Sequence, residues 1–247
     1  MSAGTVAVFR RAYKLKCRAM LSRTTKKYSR DNPSPRYRRL LELYREMHVR
    51  GELMRGIPAE QTFPGKSLIP QAHHVRRLVE ETKARSILDY GSGKGAQYRP
   101  MPLGQNGEGS WQSMQEYWNV ERIACYDPAY TPFSRLPSGR FDGVVSTDVL
   151  EHCPEDDLEW IVAEIFSFAT HFVFASVACH PAAKSLPNGE NAHCTVKAPA
   201  FWQQIFARAA ARRPDLLWEV RAYTKGEEAD VRLGNTRSVE LPAIGRA

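Results

Sequence analysis

Apolar residues recur along this chain in two rhythms. Tyr37, Leu40, Leu41, Tyr44 and Met47 fall at three- to four-residue spacing and predict a helix over 36–50, after the break Asn32-Pro33-Ser34-Pro35. Gly51, Gly56 and Pro58 then loosen the chain. Leu68, Ile69, Ala72, Val75, Leu78 and Val79 predict a second helix running to about Thr82, with Ser67 as its N-cap. Short unbroken apolar runs follow at Ser86–Tyr90, Arg122–Tyr126, Phe141–Thr147 and His171–Val177, and each reads as a buried strand. Between the last two, Leu158, Ile161, Ile165 and Phe168 line one side of a helix over 154–170. Its first-turn acids Glu155, Asp156 and Asp157 suit the positive end of the helix dipole. A loop from Ala178 to Pro199, a helix over 200–211 and a closing antiparallel pair at 216–223 and 231–241 complete the pattern.

Strands alternating with helices imply an α/β fold, doubly wound, with a mostly parallel sheet and helices on both faces. Two stretches interrupt the alternation. Residues 98–119, with Pro100, Pro102 and three glycines, read as an irregular insertion where the first crossover helix belongs. Only 12 residues separate Pro128 from Phe141, too few for helix, strand and helix, so an intermediate strand is expected to be reduced or absent.

Chemistry enters at the end of the first strand. Ser86–Tyr90 breaks into Gly91, Gly93 and Gly95, and glycine lets a turn adopt positive φ and its backbone approach a neighbour closely. The spacing is G-x-G-x-G, not the dinucleotide G-x-G-x-x-G. A phosphate-binding Walker loop is excluded because Leu88 and Gly95 stand where it requires Gly and Ser or Thr. Two further strand ends carry acids: Asp127-Pro128 after the second strand, and Thr147-Asp148 opening Asp148-Val149-Leu150-Glu151-His152. In an open parallel sheet, ligands bind beyond the carboxyl ends of the strands. An acid there can accept both hydroxyls of a ribose. Asp127 lies 38 residues after Asp89, further than the ~20 usual for a ribose acid, which requires the insertion to loop out.

Asp89, Gly91, Gly93 and Gly95 match D-x-G-x-G-x-G, and in this respect the chain resembles the class I S-adenosylmethionine-dependent methyltransferases. Phe141–His152 is similar to that family's fourth-strand motif, and the resemblance covers about residues 67–177. It implies the class I methyltransferase fold and S-adenosyl-L-methionine as cofactor, held by Asp89, Tyr90, Gly91, Gly93, Gly95, Asp127, Pro128, Thr147 and Asp148. It also implies methyl transfer to an O or N atom of a small or medium acceptor, such as a saccharide, a lipid-linked molecule or a secondary metabolite. Transfer to a hydroxyl or protonated amine needs a base; His152 and His193 are the candidates, with Glu151 next. The Asn/Asp-Pro-Pro-aromatic tetrapeptide of nucleic-acid amino-methyltransferases is absent, and Cys153 follows His152 only by position. No His, Asp or Glu cluster has clear metal-ligand spacing, and the pair His73-His74 reads as solvated helix surface.

Charge changes the picture at one end only. The 247 residues carry a net +8, yet residues 1–30 hold nine Lys/Arg and no acid, which leaves 26 basic against 27 acidic residues elsewhere. The expected organisation is a basic arm over 1–32, a helical cap over 33–59 and the catalytic domain over 60–247. The arm offers weak contact with an anionic membrane or nucleic acid. Two alternatives follow: an RNA methyltransferase tethered by the arm, and a module that binds the cofactor without catalysis. No apolar run reaches the ~18 residues of a membrane span. Five scattered cysteines without C-x-x-C suggest reduced thiols and a cytoplasmic location.

Overall fold

The computed structural model describes residues 28–100, 111–224 and 230–237. Most of the basic arm, the centre of the 98–119 insertion and the chain beyond 237 lie outside the described residues. The elements in order are α1 (Pro35–Arg50), α2 (Ala72–Thr82), β1 (Ser86–Tyr90), the short α3 (Met114–Trp118), β2 (Arg122–Tyr126), β3 (Phe141–Thr147), α4 (Glu155–Phe168), β4 (Ala169–Ala178), α5 (Pro199–Ala210), β5 (Leu217–Tyr223) and β6 (Asp230–Gly234).

Six strands form one sheet in the order β2-β1-β3-β4-β5-β6. The first five are parallel, and β6 returns antiparallel on β5, Tyr223 facing Asp230. The chain thus has an α/β fold with a mostly parallel sheet, consistent with double winding. The direction of strand addition reverses between β1 and β3, and such a switch point opens a crevice at the strand ends. Among the described residues no strand lies between β2 and β3; a single 3-10 turn, Thr131–Phe133, fills the short connection.

Val144, Val173, Val220 and Leu88 on one face of the sheet pack against α4 and α5 through Leu158, Ile161, Ile165, Trp202 and Phe206. On the other face Ile87, Val145, Phe172 and Phe174 meet α2 and α3 through Val75, Leu78 and Trp118, with Leu68 of the segment before α2. Leu40, Leu43 and Met47 of α1 form a third cluster with Leu186 and Ala192 of the loop after β4. The predicted cap helix therefore lies over the loop region at the strand ends.

Two local expectations are corrected. Ser67 does not cap α2: residues Lys66–Gln71 form a 3-10 segment containing Pro70, and α2 begins at Ala72. Pro70 disfavours the α conformation at the residue before it, which holds this turn short of α-helical geometry. The Ser67 hydroxyl instead donates to Thr147 O at 3.3 Å. His73 and His74 are not solvated, because His73 is buried and the His74 ring stacks on Phe174. No helix among the described residues is long and apolar enough to cross a membrane.

Candidate functional site

The glycine turn after β1 is held by its own chain. Gly91 N and Ser92 N donate to Tyr126 O, Lys94 N to Phe63 O, Gly95 N to Ser92 O and Ala96 N to Pro64 O. Gly93 N donates to Asp127 Oδ2 at 2.9 Å. Every amide from 91 to 96 therefore has a partner inside the protein. The segment Phe63-Pro64-Gly65 lies along the turn as a strap. Gly93 has φ +57°, and a Cβ there would stand 2.3 Å from Phe63 O, so only glycine admits the strap. Gly91, at φ +89°, would drive a Cβ to 2.3 Å from a Val149 methyl. The two glycines of the first motif thus make room for the strap and for the second motif.

A mostly apolar cleft opens at the switch point. Its floor comes from three strand ends: Gly91 and Gly93 after β1, Asp127, Pro128 and Ala129 after β2, and Thr147, Asp148 and Val149 after β3. Tyr37, Leu40, Tyr44 and His48 of α1 roof it, Phe63 and Ser67 form one wall, and His152 with Cys153 closes the far end. No Lys or Arg is among the lining residues, which include two aspartates.

Asp127 is buried and doubly tied. Its Oδ1 accepts from Ala129 N at 2.8 Å while Oδ2 accepts from Gly93 N. Burial raises its pKa, and these amide bonds oppose the rise. Arg45 of the roof donates to Pro128 O at 3.3 Å. His48 Nδ1 faces Lys94 Nζ at 2.9 Å, and burial with this cation lowers its pKa to about 3. An ammonium only donates, so Nδ1 is the acceptor and His48 is neutral.

The structure separates the other site residues that the sequence suggested. Asp89 is buried away from the cleft, with Oδ2 accepting from Gln97 Nε2 and from Tyr98 OH, both at 2.8 Å. Burial pushes its pKa up to about 7 against these bonds. Tyr90 points into the sheet face under α4 and donates to Glu164 Oε1 at 2.7 Å. Gly95 sits against the Phe133 ring, outside the cleft lining. None of the three lines the cleft, and Asp89 keeps Oδ1 without a partner.

The candidate bases differ among themselves. Glu151 is fully buried, accepts from Ala178 N at 2.7 Å and leaves Oε2 without a partner. Burial, reinforced by Asp148, holds its pKa well above the usual carboxylate range, and it lines neither the cleft nor its neighbour. His152 does line the cleft. Its Nδ1 lies 2.8 Å from Ala192 O, an acceptor, so Nδ1 carries the proton. Burial and the adjacent His193 ring lower its pKa to about 3, which makes it a weak base. Cys153 is pushed well above the usual thiol range by burial and is unsuited to nucleophilic attack.

His193 opens instead on a second, more polar cavity beside the first. This cavity is lined by His73, His74, His180, Gln71, Arg221 and Tyr223, and shares Ser67 and Asp148 with the cleft. His193 Nδ1 donates to His180 O at 2.6 Å, and burial lowers its pKa. Asp148 therefore stands at the junction. It is open to both cavities, adopts φ +54°, and accepts from Ser176 Oγ at 2.9 Å while its N–H donates to Ser176 O at 3.1 Å. Desolvation of its carboxylate raises its pKa, and the Ser176 bond opposes the rise. Aspartate tolerates this left-handed conformation better than most residues, and the two bonds to Ser176 hold it there. Among the described residues no three His, Cys, Asp or Glu side chains are grouped as metal ligands.

Sequence reasoning missed the roof residues Tyr44 and His48 and the strap residue Phe63. The 3–4 spacing marked Tyr44 as core and gave no sign that α1 crosses the strand ends. No protein-family model matches the chain, and neither a curated protein nor a solved structure matches it.

Proposed function

We propose that the chain binds S-adenosyl-L-methionine in the switch-point cleft and transfers its methyl group to an O or N atom of a small or medium acceptor. The observation that carries this reading is the cleft's polarity. A pyrophosphate needs cations or free backbone amides. Here the lining holds two aspartates and no Lys or Arg, and each amide of the glycine turn is already bonded. A sulfonium nucleoside carries positive charge and no phosphate, and suits such a lining. The D-x-G-x-G-x-G and D-V-L-E-H motifs, which meet where Val149 packs on Gly91, support the same ligand and the class I methyltransferase fold.

When bound, the cofactor would supply an electrophilic methyl. Asp127 would accept the ribose hydroxyls with its remaining lone pairs, and Tyr44, His48 and Phe63 would enclose apolar surface and exclude water. His152, neutral and fixed by Ala192 O, would orient a neighbour as a hydrogen-bond acceptor through its other ring nitrogen. Asp148 takes over the proton-accepting role for which His152 and His193 were the first candidates, because it alone among the acids is shared by both cavities and open. The second cavity would receive the acceptor.

Crystals soaked with S-adenosylhomocysteine test the reading. Density against Asp127 and beneath Tyr44 supports it; the ligand bound outside this cleft would count against it.

A further inference from the structure

Large apolar side chains are seldom left in water next to one another, and in this protein they concentrate at one place. Of the five large hydrophobic residues exposed among the described residues, Val49, Leu53 and Met54 are 78%, 58% and 69% exposed, whereas Leu136 and Val196 are only 37% and 38% exposed. The three lie within six residues, at the last turn of α1 and the 3-10 turn Leu53–Arg55 that follows. That tip does not fray: Gly51 N donates to Met47 O at 2.9 Å, and Glu52 and Ile57 exchange backbone bonds of 2.9 and 3.0 Å. The inner side of the same helix is fixed by Leu40, Leu43 and Met47. The apolar tip is a built feature of the roof with nothing of the described chain covering it.

Three arginines and three glutamates surround it over residues 42–55. Arg45, Arg50 and Arg55 are exposed around it; Arg50 pairs with Glu46 at 2.7 Å and Arg55 stands 3.8 Å from Glu52, a carboxylate that is itself buried. Over residues 1–55 the sequence has 15 Lys/Arg against 4 Asp/Glu, and over the remaining residues 20 against 23. The excess positive charge of the protein therefore lies on the same side of the sequence as the apolar tip.

We infer that the tip of the roof, Val49, Leu53 and Met54 with Arg45, Arg50 and Arg55, docks on a lipid surface bearing anionic headgroups. Exposed aliphatic side chains enter the boundary between headgroups and acyl chains while nearby guanidinium groups hold the phosphates, and each component alone gives only weak attachment. Nucleic acid is matched by the charge but gives no role to three protruding aliphatic side chains. A second copy of the chain would bring like charge together. The roof would then present the cleft at the membrane face.

Co-sedimentation of the full chain with vesicles tests this without any reference to methyl transfer. The protein is expected to sediment with phosphatidylglycerol–phosphatidylcholine vesicles and not with phosphatidylcholine alone, with binding weakening as salt rises. The double variant Leu53→Ser, Met54→Ser should bind about tenfold or more weakly with an unchanged melting temperature, since these side chains are exposed. Arg50→Gln with Arg55→Gln should lose binding and much of its salt dependence. Equal sedimentation of the serine variant and the parent would assign attachment to the basic arm and overturn the proposal. Absence of vesicle binding, salt-sensitive RNA binding in its place, or a dimer abolished by the serine variant would overturn it as well.

Discussion

The main-chain N–H of Gly93 donates to Asp127 Oδ2 at 2.9 Å, so the turn after β1 and the acid after β2 form one unit. Asp127 is thereby a scaffold for the turn before it is a ligand for anything in the cleft. Replacing it with alanine leaves Gly93 N and Ala129 N without partners.

Asp127→Ala is therefore expected to lower the free energy of unfolding by about 1–3 kcal/mol, the cost of leaving buried donors unsatisfied. It should also weaken S-adenosylhomocysteine binding at least about tenfold. Urea titration and calorimetry on the same preparation check the two effects; full stability with normal affinity would remove Asp127 from both roles.

Gly93→Ala should break the strap. Its Cβ would stand 2.3 Å from Phe63 O, and that oxygen is backbone with nowhere to retreat. Gly189 provides the control, with a φ of +84° and nothing within 4 Å of an added Cβ. Gly189→Ala should cost only the backbone strain, about 1 kcal/mol, while Gly93→Ala should cost more and expose 63–65 to protease. Equal melting temperatures would contradict the strap.

Stability should respond to Asp89 with a definite sign. Its folded-state pKa, about 7, lies above its unfolded value, which is ~3.9. Its contribution is present below the unfolded value and is lost as pH rises through the folded one. Asp89→Asn should therefore gain on the parent as pH rises from about 4 to about 7, at up to ~1.4 kcal/mol per pH unit. Denaturant titrations at both ends of that window decide it; a difference that does not change with pH would contradict the burial of a protonated Asp89.

The histidines run the other way. His48 and His152 are lowered to about 3 in the fold, below an unfolded value of ~6.5. Their contribution is present above the unfolded value and lost as pH falls toward the folded one. Nitrogen-15 spectra of the imidazoles should show both rings neutral at pH 5. A midpoint near 6.5 for either would place it in water.

The strands were legible because buried parallel strands are continuous apolar runs, as in Phe141–Thr147 and His171–Val177, and α1 because its core positions keep helical spacing. The strap was not, because Phe63-Pro64 pairs with the glycine turn through backbone carbonyls, which leave no pattern in side chains. The partners of Asp89 were not legible either: Gln97 and Tyr98, eight and nine residues on, bond its Oδ2 and leave Oδ1 without a partner. His73 and His74 read as surface because nothing local shows that the β5–β6 end of the sheet stands beside α2, where His73, His74, Arg221 and Asp230 share one cavity.

Isothermal calorimetry with three adenosine-containing ligands tests the central claim most directly. A cleft floored by Asp127 and Asp148, without Lys or Arg in its lining, should bind S-adenosylhomocysteine and give no heat with NAD or ATP at the same concentrations. Binding of NAD or ATP without binding of S-adenosylhomocysteine would contradict the account.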